Sequence, residues 1–232
     1  MDPSAVDLRP RLEAWGLGAR RQGARPTCSV FAVVGALEYA VASGLGRGTR
    51  LSVEFLNWAA HAATGRTADG GFFSELWEGY ACHGICPEEA LPYREAYDAA
   101  LQPGAAAIDA ARRLRDTALA FHWIKAWNPE TGLTGDQLAA IRATLAGGWP
   151  VCGGLRWPKK AAWEEDLLQI CPPEEVYDGH SVLLVGYTED ARHPGGGLFR
   201  IRNSAGDGRD GALSYAYVEA YMNYAAWVGP GP

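Results

Sequence analysis

Lysine is nearly missing from this chain. Of its 21 basic residues only Lys125, Lys159 and Lys160 are lysines, a skew that reflects a GC-rich coding sequence more than a function. There is no basic run and the net charge is −6, so nucleic acid is a poor partner. No stretch approaches ~18 uninterrupted apolar residues, so no membrane span or membrane partner is expected. Residues 1–21 have no apolar core of signal-peptide length, and their arginines come late. The expectation is a cytoplasmic protein, with export by another route left open. There is no phosphate-binding loop, no His-Glu-x-x-His and no dinucleotide fingerprint. No metal, nucleotide or redox cofactor is therefore implied. Solenoid-length repeats and low-complexity segments are missing too.

Cysteine is scarce and odd in number: Cys28, Cys82, Cys86, Cys152 and Cys171. Five in 232 residues argue against a full disulfide framework. A zinc site from the last four lacks the usual paired close spacing. Buried free thiols are the expected state for most, with Cys82 and Cys86 on one face if their segment is helical.

What the chain does have is apolar mass. Hydrophobic residues make up 48% and tryptophans number 9, enough for one large domain or two small lobes. The first half reads helical. Thr27 is placed to cap a helix from Cys28 to about Ala42, ended by Ser43-Gly44-Leu45-Gly46. Ser52 is placed to cap Val53–Ala63, and a third helix runs from Phe73 to about His83. Residues 105–115 suit a peripheral helix. The second half changes character. Residues 118–127, 149–155, 180–187 and 198–203 read as strands, 212–217 as a further one, and 135–146 as a short helix. Pro150 keeps the start of its strand out of a central ladder. Helices first and antiparallel strands later mean α+β, with a lobe boundary near Thr117.

The chemistry concentrates at three places. Cys28 opens an apolar helix, where unpaired N–H groups and the macrodipole favour a thiolate. Gln22, six positions earlier, has a side-chain amide able to donate to a developing oxyanion beside the Cys28 N–H. His180 opens the apolar run Val182-Leu183-Leu184-Val185, which would hold an imidazole rigidly as acid and base. Asn203 ends the neighbouring strand, where its amide oxygen would fix the imidazole tautomer. Each alone has a bland reading: a buried thiol, a solvated glutamine, a structural histidine, a turn asparagine. Their order and spacing make a thiol hydrolase the leading reading.

These segments resemble the papain-like cysteine peptidases. Gln22-Gly23 through Cys28-Ser29-Val30-Phe31 is similar to that family's nucleophile motif. Gly179-His180-Ser181-Val182 to Gly186-Tyr187 is similar to its histidine strand, and Ile201-Arg202-Asn203-Ser204 to its asparagine motif. Val6-Asp7-Leu8-Arg9 resembles the opening of the mature domain. Leu51-Ser52-Val53-Glu54-Phe55-Leu56, Asp69-Gly70-Gly71-Phe72 and Cys86-Pro87 through Tyr93 resemble three further segments. The match spans residues 6 to 220, nearly the whole chain.

The resemblance implies a single catalytic domain over residues 1–232 in a papain-like two-lobe fold. About 12–117 would form the helical lobe and 118–232 an antiparallel, β-barrel-like lobe, with the cleft between them. The first residues are free to cross to the β-rich lobe. It implies Cys28 as nucleophile, His180 as acid/base, Asn203 as orienter and Gln22 as oxyanion donor. Gly70 and Gly71 would line the cleft upstream of the cleaved bond, Phe72 and Phe73 an apolar pocket there, and Gly179 would complete the substrate-binding set. The substrate is expected to be a polypeptide, and the oligomeric state is open.

Departures from the family pattern carry their own expectations. Ser29 replaces the aromatic residue usual after the nucleophile. Ala205 replaces the usual tryptophan after Asn-Ser, so the Asn203–His180 bond should be wetter and weaker. Arg25 and Ala68 stand where the family has a disulfide pair, and their joint replacement agrees with a reducing compartment. The chain resembles a short member of bacterial type with no inhibitory propeptide. Control then falls to location, a protein inhibitor or activator, or substrate shape. Acyl transfer or deamidation on the same site, and a non-catalytic peptide-binding module, are the competing functions. Arg156, Lys159 and Lys160 read as a solvated loop cluster, and residues 157–177 as a segment overhanging the cleft and narrowing substrate range.

Overall fold

The computed structural model describes residues 3–115, 118–130, 132–206, 208 and 210–231, with only the backbone of Asp178. The chain opens with a strand, β1 (Ala5–Asp7), and a helix, α1 (Arg9–Ala14). Then come α2 (Cys28–Leu45), α3 (Val53–Thr64), α4 (Phe73–His83) and α5 (Ala105–Arg115). The second half begins with β2 (Leu119–Lys125), α6 (Gly135–Ala146) and β3 (Val151–Pro158). A two-residue pair follows, β4 (Trp163–Glu164) and β5 (Leu167–Leu168). The chain finishes with β6 (Val176–Glu189), β7 (Gly197–Arg202), β8 (Asp210–Ser214), α7 (Tyr215–Tyr221) and β9 (Met222–Pro230). The class is α+β, as expected. The expected lobe boundary near Thr117 lies outside the described residues.

Among the described residues the strands form one nine-stranded sheet in the order β2-β9-β3-β6-β7-β8-β5-β4, with β1 on β6. The ladders are antiparallel except β5 on β8, which is parallel. The sheet therefore runs open from β2 to β4. Pro150 falls just before β3, which then pairs on both sides, with β6 and β9. A proline outside the strand costs the ladder no donor.

α2 is the core helix. By length and composition it would pass for a membrane span, yet Val30, Val33, Val34, Ala36, Leu37 and Tyr39 are fully buried. It packs against β6, β3, β9, α3 and α4, so it is apolar nearly all round. α3 is capped as expected, the Ser52 hydroxyl accepting from Phe55 N–H at 2.9 Å. α5 is peripheral, with only Ala107 and Ala111 buried.

Three local expectations need correction. Thr27 occupies the N-cap position of α2 but makes no side-chain cap bond; its hydroxyl meets the Tyr93 hydroxyl at 2.7 Å instead. Cys82 and Cys86 do not share a helix face, because α4 ends at His83 and Gly84 turns the chain away. The strand expected over 212–217 stops at Ser214. There the Ser214 hydroxyl accepts from Tyr217 N–H at 3.2 Å and starts α7. β9 was not foreseen, although it lies between β2 and β3. All five cysteines are free, with Cys28, Cys86 and Cys152 buried, Cys171 half-buried and Cys82 exposed.

Candidate active site

Cys28 is the first residue of α2, with its sulfur at the helix end where the N–H groups are unpaired. The thiol donates to the Gly179 carbonyl at 3.7 Å. Ser181 hydrogen-bonds the same sulfur through its backbone and its hydroxyl. Cys28 thus lies against Gly179 and Ser181, the two chain neighbours of His180. Packing of α2 on β6 makes this meeting, across 152 residues of sequence.

His180 and Asn203 come together as expected, Nε2 to Oδ1 at 2.9 Å. Ala205 N–H also donates to that Oδ1, at 3.1 Å. An atom accepting a backbone N–H is an oxygen, so the amide orientation is set. Nε2 then carries the imidazole proton, and Nδ1 keeps a lone pair.

The expectation of a wet, weak bond here is overturned. His180 and Asn203 are 6% and 9% exposed. The Trp157 indole meets the imidazole edge-to-face with centroids 4.4 Å apart. The shield that Ala205 cannot provide comes instead from the end of β3.

Gln22 is drawn to the same place. Its backbone N–H donates to Ser204 C=O at 2.9 Å, and its Oε1 accepts the Ser204 hydroxyl at 2.8 Å. Its Nε2 donates to the Arg25 carbonyl at 2.8 Å. One amide hydrogen is so engaged; the amide group has a second. The loop before Cys28 is thereby stitched to Ser204, just beyond β7.

Gly70 faces this loop, and Gly71 lies against Glu75 and Leu76 of α4. A Cβ on Gly70 would lie 2.3 Å from the Pro26 carbonyl, and its φ is +80°, so only glycine fits there. Phe72 is exposed, at 40%, and its ring meets Trp127 at 5.4 Å. Phe73 is fully buried and tilts against Tyr224 at 4.2 Å. It belongs to the core under the cleft, although it and Phe72 both border a hollow of about 230 Å³ with Ser74, Trp123, Trp127 and Tyr224.

Burial pushes the Cys28 thiol above its ordinary pKa, partly offset by hydrogen bonds from Ser181 and Ser29. Burial also holds the His180 imidazole below its ordinary value, with the Asn203 bond opposing. Both shifts favour the neutral forms.

Four residues here escaped the sequence reading of the site. Ser181 was legible only as the neighbour of His180. Tyr224 reaches the Ser181 hydroxyl at 3.3 Å from β9, a strand with no early signal. Trp157 was read as part of an overhanging loop. Arg25 was noted only as a missing cysteine. Its guanidinium, 4% exposed, pairs with Glu54 at 2.6 Å and Asp69 at 2.9 Å. An ion-pair cluster thus joins the nucleophile loop to the Asp69-Gly70-Gly71 segment.

No family model matches the sequence, and no curated protein matches it. Solved structures do. Xylellain, a cysteine protease from Xylella fastidiosa, superposes with TM-score 0.75 at 21% identity, over 100% of this chain and 88% of that one. Procathepsin L 3 of Tenebrio molitor larval midgut gives 0.69 at 18% identity, over 99% and 70%. The Amb a 11 cysteine protease of ragweed pollen, in its proform, gives 0.71 at 21% identity, over 99% and 67%. The chain has the papain-like cysteine protease fold.

Proposed function

We propose that this protein is a cysteine peptidase, hydrolysing peptide bonds through Cys28, His180 and Asn203 with Gln22 as oxyanion donor. One observation carries the reading: a thiol at a helix N-terminus lies against the segment 179–181, whose imidazole is oriented by a buried asparagine. Burial favours the neutral thiol and imidazole, and attack begins with transfer of the Cys28 proton to His180 Nδ1. The thiolate adds to the carbonyl carbon, and the oxyanion is met by the Cys28 N–H and the second amide hydrogen of Gln22. The imidazolium then protonates the leaving amine, and the C–N bond breaks to give a thioester. Water, deprotonated by the same imidazole, releases the acid and restores the thiol. Asn203 keeps the proton on Nε2 throughout, so that Nδ1 alone shuttles. The substrate is an extended polypeptide or a flexible segment of a folded protein.

The test is labelling with an epoxide or vinyl-sulfone peptide probe, read by mass spectrometry, alongside digestion of a peptide library. Label at Cys28, and loss of both label and turnover in Cys28→Ala, support the proposal. Cys86, pushed up to about 12 by burial, and the fully buried Cys152 are poor competitors. Label at another cysteine with Cys28 untouched refutes it.

A further inference from the structure

Beside the His180–Asn203 pair lies a hollow of about 340 Å³ that the peptidase chemistry above does not use. Trp157, Trp163, Asp166, Asn203, Ala205 and Asp210 border it. Its position follows from the reaction. His180 hands its proton to the leaving amine, so the chain leaving with that amine must lie beside the imidazole. Trp157 touches the imidazole, and Asn203 bonds it, and both are walls of the hollow. Gly70, by contrast, lies against Pro26 in the loop before Cys28. The hollow thus adjoins two residues that touch the imidazole serving the leaving amine.

Its walls are indole and carboxylate. Trp157 and Trp163 meet at 6.2 Å between ring centroids. Trp163, on β4, packs against β8, its ring 3.0 Å from where a Cβ on Gly211 would be. The turn carrying Asp166 is pinned, because the Asp166 carbonyl accepts Ala212 N–H at 2.7 Å. Both charged side chains in the lining are acidic. Arg202 pairs with Asp210 at 3.0 Å, while among the described residues no cation pairs with Asp166. Aromatic faces beside an uncommitted carboxylate are the chemistry that holds an ammonium or guanidinium group.

We infer that this hollow binds a lysine or arginine side chain of the substrate residue that follows the cleaved bond. The inference rests on the peptidase reading and adds the substrate class on its leaving side. The turn between β4 and β5, bearing Asp166, thereby sets specificity, and Ala205 leaves the space open where a larger side chain would fill it.

The test uses quenched fluorescent peptides identical up to the cleaved bond, with Lys, Arg, Met or Glu after it. For the unmodified protein, kcat/KM for Lys and Arg should exceed that for Met by about tenfold, with Glu lowest. In Asp166→Asn the Lys:Met ratio should fall several-fold. In Asp166→Lys the order of the Lys and Glu peptides should invert. Asp166 is exposed, and an unchanged thermal midpoint confirms that each variant folds. Cleavage of all four peptides at similar kcat/KM, or a Lys:Met ratio unmoved in Asp166→Asn, overturns the inference and leaves the peptidase reading standing. No cleavage of any peptide together with no probe label at Cys28 overturns both.

Discussion

Replacing Arg25 by methionine should be among the most damaging single changes outside the proposed catalytic set. The Arg25 guanidinium has five N–H donors, and its hydrogen bonds number five: two to Glu54, two to Asp69 and one to the Arg94 carbonyl. Its planar face lies 4.6 Å from the Tyr93 ring centre. Glu54 and Asp69 are 1% and 8% exposed. Removing the cation leaves two buried carboxylates close together with their charges uncompensated. Breaking a buried pair in this way costs roughly 3–5 kcal/mol, far more than the pair is worth against an apolar substitute. For a chain of this size that is a fall in Tm of roughly 6–20 °C. Arg25→Lys keeps the charge but not the paired geometry, and should fall between. The triple variant Arg25→Met, Glu54→Gln, Asp69→Asn removes the stranded charge and should recover most of the loss. Thermal unfolding followed by circular dichroism measures all three. A loss under about 1 kcal/mol for Arg25→Met, or no recovery in the triple variant, would refute the argument.

Other consequences follow from the same coordinates. Trp157→Ala opens the His180–Asn203 bond to water and should lower kcat/KM on the order of five- to tenfold, the worth of one buried hydrogen bond; unchanged turnover would show that the indole shields nothing. Because burial raises the Cys28 thiol above its ordinary value, alkylation of Cys28 by iodoacetamide should accelerate about tenfold per pH unit between pH 6 and 8, whereas a preformed thiolate–imidazolium pair would give a flat profile. Ser181→Ala removes a hydrogen bond that favours the thiolate, so its alkylation profile should shift to higher pH; a downward shift would contradict the assignment. Gly154→Val should destabilise by about 1–3 kcal/mol, since even a Cβ would sit 1.5 Å from the Tyr224 ring; a neutral effect in chemical denaturation would mean that the ring moves freely.

The Arg25 cluster shows what kind of information each source held. The resemblance marked Arg25 and Ala68 as a lost disulfide, and that loss was visible in one dimension. The replacement was not, because an ion-pair partner is chosen by three-dimensional proximity. Asp69 sits one position from the expected partner, yet Glu54 lies on α3, 29 residues from Arg25. The shield on His180 is similar. Ala205 announced a missing tryptophan, while the compensating Trp157 stands 23 residues before the histidine and touches it only because β3 pairs with β6.

Local chemistry is legible wherever a residue acts through its own backbone neighbourhood. Ser52 caps α3, Gly84 stops α4, and Cys28 begins a helix, all within a few positions of the signal. Ser214 was misread because a strand and a helix meet there without a glycine or proline to mark the change. The sequence alone determined the helical first half, the strand-rich second half and the identity of the candidate nucleophile, base and orienter. These depend on periodicity, caps and short motifs. Only the tertiary structure decided that the thiol rests on Gly179 and Ser181, that an indole guards the imidazole, and that a carboxylate-edged hollow opens beside it. Those features arise from strands far apart in the chain that are brought side by side, and burial and charge acquire their energies only after that packing.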